Sequence, residues 1–202
     1  MQIALPELDT PVTLRLGRRA RLSDDDYFAF CAANPDLRLE RTSRGEIVIV
    51  PPAGMESDFR CATVLSRLVW WAERTGRGKA FGCSVEVFLP DGSALSPDAA
   101  WVSNERLASV THQERRRFPH LVPEFIAEVM SPSDRLPAAK RKMAIWMANG
   151  VELAWLLDGD KKCVHVYRQN CETRVFAGVD SIAGEGPLEG FVLALGSIWA
   201  GL

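Results

Sequence analysis

The alternation of apolar and polar residues predicts a hairpin followed by a long helix in the first part of the chain. Leu37 to Val50 alternates on either side of the turn Ser43-Arg44-Gly45, as two paired strands do. From Glu56 to Thr75 the apolar residues recur instead at the helical period, and Gly76 supplies a stop signal. Each of these two elements has an apolar face that can pack in a hydrophobic core.

Three strands, a helix and a fourth strand are predicted next. Lys79 to Leu89 alternates between apolar and polar residues, and Ser96 to Val102 and Glu124 to Met130 are two further strand patterns. A helix then ends at Asn149-Gly150, where the glycine favours a left-handed stop. Val151 to Leu157 is almost continuously apolar, which is typical of a central strand buried on both faces.

In order, these elements form a helix-strand-strand-strand-helix-strand core with an N-terminal hairpin before it. Extra strands follow at Cys163 to Tyr167 and Arg174 to Ala177, and the apolar segment Gly190 to Leu202 packs last as a strand or a helix. The series predicts an α/β protein with a mixed central sheet. The glycine-rich motifs of dinucleotide-binding and P-loop folds are absent from the sequence.

The length of 202 residues fits one domain, alone or with an extension. Ser23 is followed by three aspartates, which predicts a short helix over residues 24–34, ahead of Pro35. We therefore expect an N-terminal extension with a short helix over residues 1–36 and one main domain over residues 37–202.

The charge balance limits the kinds of partner. A net charge of −2 argues against a dedicated high-affinity binder of duplex DNA, which usually carries a basic excess. It does not exclude an enzyme with a local basic patch, because acids at a metal site lower the sum. Two basic runs, Arg18 to Arg21 and Arg115 to Arg117, are either solvated faces or contacts to phosphate.

Cysteine, histidine and hydropathy patterns exclude several classes of protein. The five cysteines contain no CxxC pair, so a disulfide framework or structural zinc site is not expected, and the three histidines lack metal-pair spacing. No apolar run approaches the ~20 residues that span a bilayer. The first ten residues carry two acids and no secretory signal pattern, so we expect a cytoplasmic location and no membrane partner.

Two carboxylates stand out because each lies at an otherwise apolar strand. Asp98 precedes the run Ala99 to Val102, and Glu128 interrupts the run Phe125 to Met130. A buried charge costs several kcal/mol unless it is paired or binds a cation. If the two strands are neighbours, one face can carry both acids, and Mg²⁺ would remove their repulsion. The alternative is that Asp98 caps a turn and Glu128 pairs with an arginine or lysine.

The predicted helix that follows supplies a cation, Lys142, at the boundary of its buried face. It shares a stripe with Trp146. A lysine there can orient a water molecule or stabilise developing phosphate charge. Equally, its aliphatic stem can simply cover Trp146 while the ammonium group reaches water. Lys140 and Arg141, on the same helix, are further basic candidates.

With these residues in place, the chain resembles a known family over residues 40–200. The resemblance is to the Uma-two family of endonucleases, within the PD-(D/E)XK, restriction-endonuclease-like superfamily. The segments that carry it are Ser96-Pro97-Asp98-Ala99-Ala100-Trp101-Val102-Ser103, Pro123-Glu124-Phe125-Ile126-Ala127-Glu128-Val129-Met130-Ser131-Pro132-Ser133-Asp134, Lys142-Met143, Asn149 to Asp158, and Val166-Tyr167-Arg168.

The resemblance implies the same helix-strand-strand-strand-helix-strand core and assigns roles to individual residues. Asp98 and Glu128 would bind the metal, with the backbone carbonyl of Val129 completing the ligands. Glu56, at the start of the first core helix, would match an outer acid found in many relatives.

One position departs from the superfamily motif. The lysine expected two residues after the second acid is Met130 here, and the resemblance points to Lys142 as its replacement, with Lys140 as a secondary candidate. Glu86 is either an extra ligand or a surface charge, and we favour the surface charge.

These inferences predict an endonuclease that uses Mg²⁺, or Mn²⁺, to hydrolyse DNA. Arg135, Arg141 or the run at 115–117 would contact phosphates, and a homodimer is expected because cutting both strands needs two sites. The alternatives are a catalytically inactive nuclease fold that binds nucleic acid or regulates, and a structural protein whose acids form buried ion pairs.

Overall fold

A computed structural model describes residues 10–15 and 21–202. The expectations for the first nine residues, and for Arg18, Arg19 and Ala20 of the first basic run, lie outside these ranges. Five α-helices lie in the described ranges, at Asp24–Ala32 (α1), Met55–Thr75 (α2), Asn104–Ser109 (α3), Leu136–Ala148 (α4) and Gly196–Ala200 (α5). None of them is both long and apolar enough to cross a membrane.

Thirteen strands and two short 3-10 helices complete the described residues. The 3-10 helices are Glu114–Arg116 and Gly186–Leu188. The strands are Val12–Leu14 (β1), Arg38–Arg41 (β2), Ile47–Val50 (β3), Gly78–Gly82 (β4), Val87–Phe88 (β5), Ala94–Leu95 (β6), Ala99–Ser103 (β7), Phe125–Val129 (β8), Leu153–Asp158 (β9), Cys163–Arg168 (β10), Arg174–Ala177 (β11), Ser181–Ala183 (β12) and Val192–Ala194 (β13).

The chain folds as two compact units that are each built from separate segments. Among the described residues, the first comprises 10–15, 21–52, Glu86–Ser96 and Val110–Leu121, and the second comprises Ala53–Val85, Pro97–Ser109 and Val122–Leu202. The first unit therefore contains residues from both sides of the predicted boundary at 36/37, together with two later segments.

The first unit is a five-stranded sheet in the order β1-β3-β2-β6-β5. The predicted hairpin is confirmed as β2 and β3, which pair antiparallel. Its core includes Tyr27 of α1 and Phe88 of β5. Arg41 is buried between them, with its guanidinium carbon 5.0 Å from the centre of each ring, and it pairs with the carboxylate of Asp24.

The second unit contains the predicted core, and that prediction is confirmed. Its six-stranded sheet has the order β11-β10-β9-β8-β7-β4, and only the β8–β9 pair is parallel. A parallel pair needs a crossover, which α4 provides. The series α2, β4, β7, β8, α4, β9 is therefore a helix-strand-strand-strand-helix-strand core in a mixed sheet. The extra strands β10 and β11 extend it, as expected.

The two faces of this sheet are covered by different helices. On one face Phe125, Ala127 and Val129 of β8 join a core with residues of α2 and α5. The alternate residues of β8, among them Glu128, belong to the opposite face, where Trp146 of α4 lies over them. Because both faces are covered, β8 is buried along its whole length. Glu128 is thus a charged residue in a strand without a solvent face.

The predicted strand from Lys79 to Leu89 is not a single strand. β4 ends at Gly82, and β5 belongs to the five-stranded sheet of the first unit. A Cβ at Gly82 would lie 2.7 Å from the Leu65 side chain of α2, so the glycine permits close packing where the strand ends. The strand predicted from Ser96 to Val102 begins only at Ala99, as β7. Pro97 has no N–H to donate to a neighbouring strand, so the residues around it do not join the sheet.

Candidate active site

The register of β7 and β8 brings the two predicted acids to the same place. The strands pair antiparallel with Ala99 opposite Ala127, and one further step places Asp98 opposite Glu128. Opposed residues of an antiparallel pair share one face of the sheet. A hydrogen bond fixes the first acid there, because the Val129 N–H donates to Asp98 Oδ2 at 2.8 Å. The Asp98 carboxylate therefore lies against the backbone beside Glu128.

Glu128 is held by two donors from α4. Its residue is only 8% exposed. The indole N–H of Trp146 donates to Glu128 Oε1 at 2.8 Å. The ammonium nitrogen of Lys142 lies 3.0 Å from Oε1 and 3.2 Å from Oε2. Lys142 and Trp146 are four residues apart and so lie on one face of the helix.

Local sequence positions α4 directly behind β8. The segment Ser131-Pro132-Ser133-Asp134 forms a turn in which the Asp134 carboxylate accepts from the Ser131 N–H at 2.8 Å and from its hydroxyl at 2.9 Å. Pro137 then lies in the first turn of α4, where no N–H is needed. The helix ends before Gly150, whose φ of +103° suits glycine.

The site carries a negative field that extends to α2. Burial raises the pKa of the Cys61 thiol, and the charges of Asp98, Cys83 and Glu128 raise it further. The two carboxylates thus act together on one neighbouring group and disfavour a second anion. The same field favours a cation.

The donors at this place fit a hard divalent cation. Carboxylate oxygens of Asp98 and Glu128 and the carbonyl of Val129 are the oxygen ligands that Mg²⁺ uses alongside water and phosphate. Among residues 10–15 and 21–202, no group of three or more histidine, cysteine, aspartate or glutamate side chains is arranged to hold a metal ion.

The structure brings Lys142 to the acid and leaves Met130 without that role. Met130 is buried at the end of β8, and its N–H donates to the Leu157 carbonyl at 2.9 Å. The Lys142 side chain is 28% exposed and reaches Glu128 from the next helix. The ion pair agrees with the predicted position of the replacement lysine and also with the alternative that Glu128 pairs with a lysine. The catalytic role of Lys142 stays a prediction.

Two secondary candidates contact other groups. Glu56 pairs with the buried Arg60 at 2.7 Å, and Arg60 also pairs with Asp160 at 3.0 Å. Lys140 is exposed, and its charge acts on β10: burial lowers the pKa of His165, and Lys140 lowers it further. The outer-acid role of Glu56 and the candidate role of Lys140 both stay predictions, and the contact that the structure shows for Glu56 is its ion pair with Arg60.

The interpretation of Glu86 as a surface charge is wrong. Glu86 is buried in the first unit, where it accepts a hydrogen bond from the Tyr27 hydroxyl at 2.7 Å. The polar side of a strand pattern is not always its exposed side, and here a tyrosine donor from α1 satisfies the carboxylate inside the protein.

Two contacts of Arg117 bear on the predicted phosphate-binding arginines. Arg117 pairs with Asp25 at 2.7 Å, and its guanidinium carbon lies 4.5 Å from the centre of the Phe28 ring. Arg135 and Arg141 are exposed at the start and middle of α4. These two remain the arginines that can meet a substrate near Lys142.

Sequence reasoning missed two partners that complete these clusters. Trp146 was read as packing beneath Lys142 and not as a donor to Glu128. Arg60 was not singled out at all. In both cases a signal exists, because each lies four residues from a candidate, Lys142 or Glu56, and so shares its helix face.

The core order and the acids at β7 and β8 define a restriction-endonuclease-like fold. The chain belongs to the Uma2 family, whose sequence model is described as "Putative restriction endonuclease" and matches residues 24–196. Among solved structures it is similar to "a putative nuclease belonging to DUF820 from Anabaena variabilis ATCC 29413". That similarity has 18% sequence identity and a TM-score of 0.68, over 80% of this chain and 89% of the other. No curated protein matches this chain.

Proposed function

We propose that this protein is a Mg²⁺-dependent endonuclease that hydrolyses phosphodiester bonds in DNA, with Mn²⁺ as a substitute ion. One observation carries the proposal: the register that pairs Ala99 with Ala127 places Asp98, just before β7, opposite Glu128 near the end of β8, and Lys142 pairs with Glu128. The family and the fold of the similar structure support a nuclease. The choice of a divalent ion follows from the chemistry of the donors, and the choice of DNA follows from the description of the family as a restriction endonuclease.

Asp98, Glu128 and the Val129 carbonyl would hold the ion. When bound, Mg²⁺ polarises a phosphoryl oxygen and lowers the pKa of an attacking water. The Val129 N–H fixes the Asp98 carboxylate at 2.8 Å, so this ligand is oriented before any ion arrives. Preorganised ligands reduce the cost of assembling the site at the moment of reaction.

Lys142 has two tasks in this proposal. Without an ion its ammonium group offsets the buried charge of Glu128, which would otherwise be costly. With substrate present, the same ammonium group orients the attacking water and stabilises negative charge on the phosphate. Its partial exposure and long stem allow it to serve both positions.

Substrate binding must be local, because the whole chain has a net charge of −2. Exposed Arg135 and Arg141, on the helix that carries Lys142, are the proposed phosphate contacts. A homodimer remains part of the proposal, since two sites are needed to cut both strands of a duplex.

Plasmid cleavage in Mg²⁺ or Mn²⁺ tests the proposal. Asp98→Asn, Glu128→Gln and Lys142→Met should each lose cleavage. The matched controls are Glu105→Gln, an exposed acid on α3, and Lys79→Met, an exposed lysine on β4. Both controls should cut like wild type. Equal cleavage by wild type and Lys142→Met overturns the catalytic assignment of that lysine.

Met130 favours a second candidate function, a nuclease fold that binds nucleic acid without cutting it. The usual lysine position is buried and apolar here. Calorimetry of metal binding, a DNA-retention assay and a cleavage assay together separate the two functions. Metal binding that depends on Asp98 and Glu128, together with DNA retention and no cleavage by wild type, supports the inactive module over the enzyme.

A further inference from the structure

We infer that Trp146 is a positioning residue for Glu128, an inference that rests on the proposed function. Its indole N–H holds Oε1 of the carboxylate, so that the acid faces the metal in one orientation. Lys142 provides a positive charge beside the carboxylate, whereas Trp146 fixes the orientation of the carboxylate. The two donors from α4 therefore have different tasks.

The geometry of Trp146 suits a fixed donor. Its side chain is fully buried, and the nitrogen lies 2.8 Å from Glu128 Oε1. The terminal torsion of a glutamate is broad, so burial alone does not choose the orientation of the carboxylate plane. The indole ring is rigid, has only two side-chain torsions and carries one N–H, so its hydrogen bond fixes the orientation of the Glu128 carboxylate. Because the Trp146 indole is fully buried, a water molecule cannot take the place of Glu128 as its hydrogen-bond acceptor.

The second donor differs in mobility and charge. Lys142 ends a flexible four-carbon stem, is partly exposed, and lies near both oxygens of Glu128. When a divalent ion binds, repulsion between two cations favours movement of the ammonium group towards the substrate. The indole is neutral and does not repel the ion. Trp146 can therefore keep its hydrogen bond through binding and reaction, while Lys142 moves.

Another buried tryptophan provides a matched comparison. Trp101 lies in β7, also buried, but its indole nitrogen has no hydrogen-bond partner in the described part of the chain. Burial of an indole in this sheet therefore does not by itself require an acceptor. The bond from Trp146 to Glu128 is a feature of the site and not of tryptophan packing in general.

The first test compares Trp146→Phe with Trp101→Phe. Each change removes an indole N–H and leaves an aromatic ring, but only the first removes a donor to Glu128. Partners that orient metal ligands change metal affinity by about 10–100-fold. We expect that loss of Mg²⁺ affinity by calorimetry for Trp146→Phe, with a matching fall in kcat and an unchanged KM for DNA. Trp101→Phe should match wild type in all three.

A second measurement uses the unmodified protein and needs no cleavage. The six tryptophans give six indole N–H signals in a ¹⁵N NMR spectrum, and Trp146→Phe identifies one of them. That signal should shift as Mg²⁺ binds to wild type and should not shift in Asp98→Asn. If the phenylalanine variant does not fold, incorporation of benzothienylalanine at 146 removes only the N–H and identifies the same signal.

The outcomes separate this inference from the proposed function. Mg²⁺ binding by wild type without cleavage overturns the nuclease function, and the affinity of Trp146→Phe still decides the role of Trp146. Wild-type affinity in Trp146→Phe, or an indole signal that stays fixed as Mg²⁺ binds, overturns the inference while cleavage by wild type stands. No divalent binding by wild type overturns both.

Discussion

Two clusters in the second unit each contain one buried charge, but with opposite sign. In the acid site, Glu128 is buried and its partners are Lys142 and Trp146 from α4, while Asp98 lies opposite it on the neighbouring strand. In the arginine cluster, Arg60 is buried at 3% exposure and its partners are Glu56, whose side chain is 44% exposed, and Asp160, at 58%. Burial and pairing alone do not distinguish a functional site from a structural one.

The chemistry of the buried group does distinguish them. The guanidinium group of Arg60 stays charged, and its fork of donors joins an acid on its own helix to one in the turn after β9. That turn is shaped to receive it, since a Cβ at Gly159 would lie 2.5 Å from the Arg60 guanidinium carbon. The arginine cluster therefore ties α2 to the β9–β10 turn.

The acid site has a different chemistry. Its buried group is a carboxylate, its cationic partner Lys142 is partly exposed on a flexible stem, and a second carboxylate lies opposite it. Carboxylates offer oxygen atoms to a metal ion, whereas a guanidinium group offers none. The comparison teaches that the type of the buried group, and not burial or pairing, separates the candidate functional site from the structural cluster.

The largest expected effect separates activity from stability. Glu128→Gln keeps an oxygen that can accept from Trp146 but removes the charge. Cleavage should fall at least about 100-fold, the upper end for residues that merely support a metal ligand. The free energy of unfolding should change little, because the cost of burying a charge disappears with the charge. Steady-state cleavage and urea unfolding measure the two quantities, and a stability loss with full activity would contradict the assignment.

The arginine cluster should respond in the reverse way. Glu56→Gln combined with Asp160→Asn leaves a buried guanidinium group without a carboxylate. We expect a loss of about 3 kcal/mol, the low end for a broken buried pair because both acids are half exposed. For a chain of this size that corresponds to about 6–12 °C in Tm. Calorimetric melting measures it, and cleavage per folded molecule shows separately whether Glu56 acts as an outer acid of the site.

A third substitution in that variant is its control. Arg60→Met removes the stranded cation and should restore most of the lost stability, since an apolar side chain of similar size can replace a buried pair. No recovery would mean that the acids stabilise α2 or the turn independently of Arg60.

A smaller effect tests the fit of the arginine into the turn. Gly159→Ala places a methyl group where the guanidinium lies and should cost about 1–3 kcal/mol, as overpacking does. Gly196→Ala is the control, because a Cβ there has no neighbour within 4 Å. Chemical denaturation of both variants gives the difference. Equal stability would show that Arg60 moves aside freely and is not a fixed tie.

Most of the core order and the meeting of the two acids were predictable from the sequence. Strand and helix patterns predicted α2, β8, α4 and β9. Two charged residues at apolar strands led to the hypothesis that Asp98 and Glu128 converge, and the family resemblance assigned both as metal ligands. Lys142 was a candidate from its position on the helix stripe with Trp146, and the resemblance pointed to it as the replacement for the lysine expected at Met130.

Contacts between distant segments were not predictable in this way. Alternation over Lys79 to Leu89 describes residues that are buried on alternate sides, and it holds equally for one long strand or for two short strands in different sheets. Glu86 is satisfied by Tyr27, 59 residues away in sequence, so no local pattern could show that it is buried. Pro97 and Gly82 are the local signals of the two breaks, because a proline cannot donate to the sheet and a glycine permits close packing where a strand ends.

A third buried titratable group extends the comparison to pH. His165 lies on the face of the sheet that α4 covers, opposite Leu156, which in turn lies opposite Glu128. It is buried, and its Nδ1 atom has no hydrogen-bond partner among the described residues. Burial lowers its pKa from the ordinary value of 6.5, and the charge of Lys140 lowers it further. His165 therefore stays neutral in the folded protein where the unfolded chain takes up a proton.

The sign of the pH effect follows from this difference and gives the smallest expected change. Stability from His165 is complete above about pH 6.5 and is lost as the pH falls towards the lower folded pKa, by at most about 1.4 kcal/mol per pH unit. Urea unfolding between pH 7.5 and 5.5 should show a shallower decline for His165→Leu than for wild type. His112→Leu, at an exposed histidine, should leave the decline closer to wild type. Equal slopes for His165→Leu and wild type would assign the acid sensitivity of this face to its carboxylates instead.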